Sequence, residues 1–334
     1  MKPTIYDVAK KAGVSIATVS KVINNTGRIS EKTRKKIWAL MEEMEYQPSV
    51  VASALTGKST YTIGLLIPDL ANPFFSEIAR SIEDRGHSLG YNIVICSTDY
   101  DPEKEAKYTS LLKQKSVDGI ILASGFENHK SAKELIRQNF PIAVVAREIP
   151  SLEVDTVSID NFLGGYQGAS HLIGLGHKRI AIIARDVWSN RERIRGYKQA
   201  LEEANLEFDT QMEFVKDSAV ESGKELAGKL LDSSAPPSAI FACNDSLAIG
   251  VIQAARQRGL TVPKNLSVLG FDDTIWAKIS DPPLTTIAQP IREMGYGVMD
   301  LLIQEIKGQK HVKQRLILLP KLVERETTLA YTGE

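Results

Sequence analysis

Cysteine is nearly absent from this sequence, which contains only Cys96 and Cys243 among its 334 residues. Both lie inside apolar stretches, a position typical of buried reduced thiols in an intracellular protein and not of a disulfide framework. The five histidines are scattered and form no cluster with cysteine, so the sequence predicts no structural zinc or other metal site. We also expect no cofactor.

Long hydrophobic runs are absent as well. No apolar stretch approaches the roughly 20 residues needed to span a bilayer. The N-terminus, MKPTIYDV, has none of the features of a secretion signal. We therefore expect a cytoplasmic protein that does not associate with membranes.

The patterns that indicate an enzyme are missing too. A dinucleotide-binding sheet requires a glycine-rich loop such as GxGxxG between its first strand and helix, but here that place holds PDLANPFF. The stretch IGLGH lies between a helix and the following strand, which is the wrong order. The chain has neither a Ser-His-Asp pattern nor a metal-ligand spacing, so we expect that it is not an enzyme.

Net charge is zero, but the charges are unevenly distributed. Residues 1–60 contain ten Lys or Arg and five Asp or Glu side chains, a charge of +5, so the remainder carries −5. A basic end on an acidic body is expected when only one domain meets the phosphates of nucleic acid. The alternative is a charged, solvated surface without a partner.

The first 46 residues predict three short helices. Thr4 and Asp7 have the spacing of a capping box, and Ser15 and Ser30 can cap the second and third helices. The residues expected on the buried faces are Ile5, Val8, Ala9, Ala12, Val19, Val22, Ile23, Ile37, Leu40, Met41 and Met44. The next segment, SVVASAL, has helix signals at both ends, but a helix so short is marginal alone.

From residue 61 onward, apolar runs alternate with amphipathic stretches. The runs are TIGLLIP, NIVICS, DGIILAS, IAVVA, TVSID, RIAIIA, SAIFAC, LSVLGF and LTTIAQ. Unalternated, β-rich runs separated by helices indicate parallel strands that are covered on both faces. Because the helix-then-strand order restarts after Asp160, we predict two α/β lobes, each with a doubly wound parallel sheet. A ligand of such a fold lies beyond the carboxyl ends of the strands.

The stretch TIYDVAKKAGVSIATVSKVINNTGRIS, followed by YQPSVVASALTGKST, resembles the LacI/GalR family of transcriptional repressors. The resemblance covers nearly the whole chain. Further segments match the family's landmarks in order: IGLLIPDLANPFFSEI, DGIILAS, IDNFLGGYQGA, LGHKRIA, RIRGYKQAL, IFACNDSLAIGV, LSVLGFDDT and PPLTTIAQP.

This resemblance implies an α-helical helix-turn-helix DNA-binding domain over residues 1–46, a hinge helix over 47–60 and an effector-binding and dimerisation core over 61–333. The core would have the two-lobed fold of periplasmic binding proteins. The N-lobe is expected to comprise about 61–160 and 291–318, and the C-lobe about 161–290 and 319–333.

A helix-turn-helix lays its second helix in the major groove of DNA, where N-terminal side chains reach base edges. Here Ile16 and Ala17 would make apolar contacts and Lys21 the specific hydrogen bonds. Family members often carry arginine where Lys21 stands, and lysine gives up its bidentate geometry. The alternatives are that Ile16 closes the core of the head and that Lys21 is an ordinary solvated lysine. The other residues expected at the DNA interface are Thr4, Tyr6, Ser15, Thr18, Ser20 and Asn24, the last three suiting phosphates.

The family's linker helices pair across a dimer, enter the minor groove and open a base step with a leucine. The resemblance assigns that wedge to Leu55, with Ala52 small enough for the partner backbone to approach. Such a wedge costs a few kcal/mol of unstacking, which the contacts of the bent duplex offset. The alternative is a plain linker in which Leu55 packs on the core.

For the effector site, the resemblance assigns Asn72, Phe74 and Phe75 to the mouth of the cleft. It assigns hydrogen bonds to the effector to Arg193, Asn244 and Asp272, and places Asp160 at the crossover between the lobes. Arg147 and Trp188 are further candidates to line the cleft. Structural alternatives are a hinge role for Asp160, a helix cap at Asn244 and a surface ion pair for Arg193. Polar groups around aromatic walls suit a sugar, a sugar phosphate or a nucleobase.

The function expected is that of a homodimeric regulator, most simply a repressor, that binds a pseudo-palindromic double-stranded DNA operator. Tetrameric family members carry an extra C-terminal helical segment with leucine repeats, whereas this sequence ends RETTLAYTGE. Alternatives within the family are transcriptional activation and control by a phosphorylated protein corepressor. A solute-binding protein of a transporter shares the two-lobed fold, but it would be exported and have no basic helical head.

Overall fold

The chain divides into two compact units, Met1–Thr60 and Tyr61–Glu334, which we call the head and the core. The structure is a computed structural model. It describes residues 3–23, 26–46, 59–123, 129–207, 214–215, 217 and 219–332.

The head contains three helices, α1 (Ile5–Ala12), α2 (Ile16–Ile23) and α3 (Glu31–Glu43). The predicted bond between Asp7 and the start of α1 is confirmed: the N–H and the hydroxyl of Thr4 donate to the Asp7 carboxylate at 2.8 and 2.6 Å. Ser30 caps α3 by accepting a hydrogen bond from the N–H of Thr33 at 3.3 Å. The helices bury a small core formed by Val8, Ala9, Ala12, Val19, Val22, Ile37 and Met41.

The core contains two lobes, each with one sheet. The elements of the N-lobe are β1 (Thr62–Ile67), α4 (Pro73–Ser88), β2 (Asn92–Ser97), α5 (Pro102–Gln114), β3 (Gly119–Ala123), α6 (His129–Arg137), β4 (Ile142–Val145), β5 (Asp155–Ile159), α12 (Ile291–Ile306) and β10 (Arg315–Leu318). The elements of the C-lobe are α7 (Asn161–Gly174), β6 (Ile180–Ile183), α8 (Trp188–Glu203), α9 (Val220–Leu231), β7 (Ala239–Ala242), α10 (Asp245–Gln257), β8 (Ser267–Asp272), α11 (Ile275–Ile279), β9 (Thr285–Ala288) and β11 (Lys321–Val323).

The N-lobe sheet has the order β10-β5-β4-β3-β1-β2, and all its strand pairs are parallel. The C-lobe sheet has the order β11-β9-β8-β7-β6. It is parallel except at β11, which pairs with β9 in the antiparallel sense. Each of the nine apolar runs of the sequence contains a strand, as predicted. The prediction that these strands are covered on both faces is wrong for β2, which lies at the edge of its sheet and exposes Val94 and Ile95. The edge strands β10 and β11 were not predicted, because they have only four and three residues and no helix lies between them.

Three segments connect the lobes: one between β5 and α7, one between β9 and α12, and one between β10 and β11. Two of them are joined by a hydrogen bond, because the N–H of Asp160 donates to the carbonyl of Leu318 at 2.9 Å. These two connecting segments therefore run side by side between the lobes. The carboxyl ends of the strands of both sheets lie near them.

The helices α7 and α8 of the C-lobe are in backbone contact, and two glycines permit it. A Cβ atom at Gly165 would lie 1.9 Å from the carbonyl oxygen of Arg193, and one at Gly196 would lie 1.9 Å from that of Phe162. No side chain fits at such distances. This close approach brings the side chain of Arg193 to the start of α7.

Candidate functional site

The helix α2 of the head has two distinct faces. Val19 and Val22 are buried, whereas Ala17 and Lys21 are exposed on the opposite side. Ile16 is 39% exposed, which excludes the alternative that it closes the core of the head. An exposed isoleucine beside a lysine is a surface that can contact the base edges of DNA.

Lys21 lies beside the turn that follows α2. Gly27 has a φ of +72°, and a Cβ atom there would lie 3.3 Å from the Cδ of Lys21. The aliphatic part of the lysine therefore packs against a backbone that has no side chain, and its ammonium group remains exposed to solvent.

The polar residues predicted at the DNA interface have different local partners. Ser15 accepts a hydrogen bond from the N–H of Thr18 at 3.2 Å and also contacts its hydroxyl at 2.9 Å. Thr18 and Ser20 are half-buried, while Thr4 and Tyr6 are exposed, Tyr6 by 68%. Ser15 is therefore a helix cap, and its contact with DNA stays a prediction, as do those of the other four.

Three residues predicted at the DNA interface lie outside the described residues. They are Asn24, Ala52 and Leu55. The hinge helix predicted over 47–60 falls almost entirely in the same undescribed part, so its helical form and its wedge stay predictions.

The core has a cavity at the carboxyl ends of its strands, where the sequence predicts a ligand site. It encloses about 540 Å³ including its open mouth, but only about 60 Å³ can hold water-sized molecules. At roughly 10–15 Å³ per water position, the lobes leave little room between them. Its lining residues are Asn72, Phe74, Phe75, Tyr100, Ala146, Asn161, Val187, Ser189, Asn190, Arg193, Cys243, Asn244, Asp272 and Gln289.

Arg193 is buried at this cavity and is held by several groups at once. Its Nε donates to the side-chain oxygen of Asn161 at 2.9 Å, and its Nη1 donates to the carbonyl of Cys243 at 2.6 Å. The guanidinium lies 3.5 Å from the ring centroid of Phe271 and 3.9 Å from the carboxylate of Asp272. The alternative of a surface ion pair is therefore wrong. The sequence suggested it because other arginines stand nearby, but the close packing of α7 on α8 buries this one.

Asp272 is the acidic partner in the same cavity. Its carboxylate accepts a hydrogen bond from Nε2 of Gln289 at 2.6 Å. Burial raises its pKa to about 8, although Arg193 and the hydrogen bond from Gln289 act in the opposite direction. Its φ of 116° is a conformation that side chains rarely adopt. The site thus places a protonatable carboxyl beside a fixed guanidinium, a pair that can bind neighbouring hydroxyl groups.

Two of the predicted site residues also cap helices. Asn72 accepts a hydrogen bond from the N–H of Phe74 at 3.0 Å at the start of α4, and Asn244 accepts one from the N–H of Leu247 at 2.7 Å at the start of α10. Both also line the cavity. The capping alternative for Asn244 is confirmed, and it does not exclude a contact with a ligand.

Three predicted effector residues do not line the cavity. Asp160 caps α7 through the N–H of Leu163 at 2.8 Å and lies in a segment that connects the lobes. Arg147 and Trp188 are half-buried, and each is adjacent in the chain to a lining residue, Ala146 or Val187. Neighbours in the chain can point in different directions, so a position next to a lining residue does not by itself place a side chain in the cavity.

Several lining residues were missed by sequence reasoning. Tyr100 follows β2, Gln289 follows β9 and Asn161 follows β5. The rule that ligands lie beyond the carboxyl ends of parallel strands could have selected Tyr100 and Gln289. Ser189 and Asn190, in the first turn of α8, could have been found by the same rule applied to β6.

Neither a metal site nor a membrane segment is present in the described part of the chain. No group of three or more His, Cys, Asp or Glu side chains within those ranges is placed to hold a metal ion. Among the same residues, no helix combines the length and the apolar character needed to cross a bilayer.

Comparison with known proteins matches both units to described families. Residues 4–49 match bacterial regulatory proteins of the lacI family, and residues 169–328 match the periplasmic binding protein-like domain. The HTH-type transcriptional regulator DegA of Bacillus subtilis (strain 168) is 53% identical over 333 residues, which cover 98% of each chain.

Solved structures agree with this result over the whole length. The lac repressor dimer bound to operator and the anti-inducer ONPF is 32% identical, with a TM-score of 0.88 over 99% of this chain and 100% of that one. The complex of the transcriptional regulator CelR with cellobiose is 30% identical, with a TM-score of 0.75 over 97% of this chain and 99% of that one. These relatives are transcription regulators and not enzymes.

Proposed function

The chain belongs to the LacI family of bacterial regulatory proteins, and from this we propose how its two units divide the work of a DNA-binding transcription regulator that responds to a small molecule. The head reads a pseudo-palindromic operator as part of a homodimer, and the core binds the effector. The consequence for the cell is repression of the genes beside the operator.

The observation that carries the DNA-binding half of the proposal is the division of α2 into two faces. Val19 and Val22 hold the helix on the head, which leaves Ile16, Ala17 and Lys21 exposed together. In this arrangement the apolar side chains can contact thymine methyl groups, and Lys21 can donate to guanine. Thr18 and Ser20 flank this face and are suited to phosphate contacts.

For the core, we propose a sugar or a related polyhydroxylated metabolite as the effector. The cavity combines the aromatic side chains of Phe74 and Phe75 with hydrogen-bonding groups on Arg193, Asn244 and Asp272. Aromatic walls with a few convergent polar groups are typical of sites for hydroxylated ligands. The relative solved with cellobiose supports this ligand class.

Effector binding is proposed to change the angle between the lobes and so the operator affinity. Coupling free energies of this kind are typically about 1–3 kcal/mol. A bacterial regulator that binds operator DNA works in the cytoplasm, so the predicted location follows from the same proposal. Control by a phosphorylated protein corepressor stays an alternative prediction.

A selection experiment with the full-length protein tests this function. Purified protein is used to enrich binding sites from a pool of random duplexes, with and without a panel of mono- and disaccharides. We expect a two-fold-related consensus that is bound at least about 1,000-fold more tightly than random duplex, and a sugar that changes this ratio. Equal affinity for all duplexes, with and without sugars, would contradict the proposal.

A further inference from the structure

We propose that the effector carries a negatively charged group, a carboxylate or a phosphate, and that Arg193 and Arg185 select for this charge. The inference rests on the proposed function in taking the cavity of the core as the effector site. It narrows the ligand class from polyhydroxylated molecules in general to their anionic members.

Arg193 gives the cavity a buried positive charge that is held by neutral groups. The residue is only 6% exposed, and its hydrogen bonds go to the side-chain oxygen of Asn161 and the carbonyl of Cys243. Burial lowers the pKa of Arg193, but a guanidinium remains charged in proteins. Because buried charges are normally paired, an arginine held in this way at a ligand cavity favours an anion as its partner.

Asp272 does not neutralise this charge. Among the described residues that line the cavity, Asp272 is the only acid, and its Oδ1 lies 3.9 Å from Nη1 of Arg193, too far for a hydrogen bond. That oxygen instead accepts a hydrogen bond from Nε2 of Gln289 at 2.6 Å. Burial raises the pKa of Asp272 to about 8, so most of this carboxyl is uncharged at pH 7. The walls of the cavity therefore have a net positive charge.

Arg185 adds a second positive charge, one aromatic ring away from the cavity. Its guanidinium carbon lies 3.6 Å from the ring centroid of Tyr100, and its carbonyl accepts a hydrogen bond from the side chain of Asn190 at 3.0 Å. Both partners line the cavity. Among the described residues, no carboxylate lies within ion-pair distance of Arg185, whereas Nε of Arg191 lies 2.6 Å from Asp186. The charge of Arg185 therefore adds to the positive potential at the site.

Two further carboxylates act on the cavity from outside it. Asp69 and Glu77 are close enough to Tyr100 and Asp272, respectively, to interact with them electrostatically. Neither acid lines the cavity, and each accepts a hydrogen bond from a backbone N–H, at 2.8 and 3.1 Å. Their charges are thus stabilised outside the cavity and leave the positive charge of its walls in place.

Four helices direct their amino ends at the same cavity. The helices α4, α7, α8 and α10 have 16, 14, 16 and 13 residues. The cap or first turn of each contributes a lining residue, namely Phe74, Asn161, Ser189 and Asn244. This arrangement follows from the parallel sheets, because a strand that ends at the cavity leads into a helix that begins there. The amino ends of helices favour anions, so they act in the same direction as the two arginines.

The charge of the effector then decides how well the site is satisfied. The uncharged polar side chains of the cavity suit hydroxyl groups, which neutral and anionic sugars share. A neutral sugar would leave Arg193 without a counter-ion. A carboxylate or phosphate would provide one through charge-assisted hydrogen bonds, which are roughly twice as strong as neutral ones.

The test compares matched ligands that differ in charge. The full-length protein is titrated by calorimetry with three sets: glucose, glucuronate and glucose 6-phosphate; galactose, galacturonate and galactose 6-phosphate; ribose, ribonate and ribose 5-phosphate. We expect the tightest binding from an anionic member, at least about 10-fold tighter than its neutral parent. Added salt should weaken its binding more than that of the parent. The acid and phosphate arms distinguish the two kinds of anion.

Variants of Arg185 test whether charge is the cause. Arg185→Gln should lower the affinity for the preferred anion by about 3- to 30-fold, as expected for the loss of one nearby charge, and leave the affinity for the neutral parent unchanged. Arg185→Lys keeps the charge and should retain most of the preference. Arg191→Gln removes an equal charge from an exposed ion pair of the same lobe and should bind the anion as the parent protein does.

Several outcomes would overturn the inference. They are equal or tighter binding of the neutral parent in every set, no binding of any anionic member at millimolar concentration, and an unchanged affinity for the anion in Arg185→Gln. An equal loss in Arg185→Gln and Arg185→Lys, with melting temperatures that show both folded, would assign the effect to shape and not to charge.

The selection of operator sequences separates this inference from the proposed function. An operator consensus whose affinity responds to neutral sugars alone would contradict the anionic effector and leave the regulator in place. Binding of an anionic sugar without any preferred operator would contradict the regulator and leave the anionic ligand in place.

Discussion

The recognition helix of the head and the cavity of the core use their polar side chains in different ways. On α2, the residues proposed to read bases are exposed, and buried valines on the opposite face hold the helix in place. In the cavity, Arg193, Asn244 and Asp272 are buried and hydrogen-bonded within the protein. In the head, the residues proposed to bind DNA are therefore different from those that stabilise the fold. In the core, the same residues do both.

The physical reason is the environment of each site. DNA binds to a solvated surface, where water satisfies the hydrogen-bonding groups of a side chain until the DNA is bound. A small molecule is enclosed, so the groups that bind it need internal partners before it arrives, since an unsatisfied buried group costs about 1–3 kcal/mol. Substitutions should reveal this contrast directly.

The largest effect is expected for Arg193→Met in the cavity. Loss of the guanidinium removes the donors to Asn161 and Cys243 and the stacking on Phe271. Removing one member of a buried charged network typically costs about 3–5 kcal/mol. Urea unfolding of the full-length protein should show this loss, together with loss of effector response.

The matched control is Arg191→Met, two residues earlier on the same helix. Its partner Asp186 is exposed, and exposed pairs contribute about 0–1 kcal/mol. If both variants lost similar stability, the combined role assigned to Arg193 would be wrong.

An effect that depends on pH is expected for Asp272→Asn. The pKa of Asp272 is raised from 3.8 to about 8 in the folded protein, so the folded state retains a proton that the unfolded state releases. The stability from this proton is complete below about pH 4 and is lost as pH rises toward 8. The parent should therefore lose stability relative to the asparagine variant over this range, as measured by melting temperature. Parallel pH profiles of the two proteins would contradict the raised pKa.

In the head, Lys21→Ala should change recognition and not stability. Loss of a specific base contact typically costs about 1–3 kcal/mol of discrimination, while the exposed position predicts an unchanged melting temperature. Competition between the selected operator and random duplex gives the measurement. An equal loss of affinity for both DNAs would make Lys21 a phosphate contact only.

The smallest effect is expected for Ser30→Ala, which affects the fold of the head without touching its DNA face. The substitution removes the acceptor for the N–H of Thr33, a change that costs about 1 kcal/mol for typical caps. Ser30→Thr, which keeps the hydroxyl, is the control. A sequence preference altered as strongly as in Lys21→Ala would show that stability and recognition are not separable in the head.

Much of the fold could be predicted from local patterns. The bond from Thr4 to Asp7, the cap at Ser30 and the nine apolar strands depend on residues close together in the chain. The edge strands β10 and β11 escaped prediction because they are short, with four and three residues, and are not separated from each other by a helix. The order of strands within each sheet could not be predicted either.

The cavity was predicted less completely than the head. Motif resemblance led to Arg193, Asn244 and Asp272, which line it, but also to Asp160, which does not. The further candidates Arg147 and Trp188 do not line it either. Its members that were not predicted include polar residues that follow strands, such as Tyr100 and Gln289, and apolar residues, such as Ala146 and Val187. A resemblance in sequence assigns a role to a position in the chain, but it does not determine the direction in which the side chain points.

Sequence patterns alone were enough to define the helices of the head, their caps, their exposed face and nine strands of the core, because those depend on interactions over a few residues. Only the tertiary structure decided which distant residues meet. Backbone contact at Gly165 and Gly196 buries Arg193 against Asn161. Closure of the lobes brings Arg185 onto Tyr100. Such contacts depend on sheet order and on the approach of whole lobes, which no local pattern encodes.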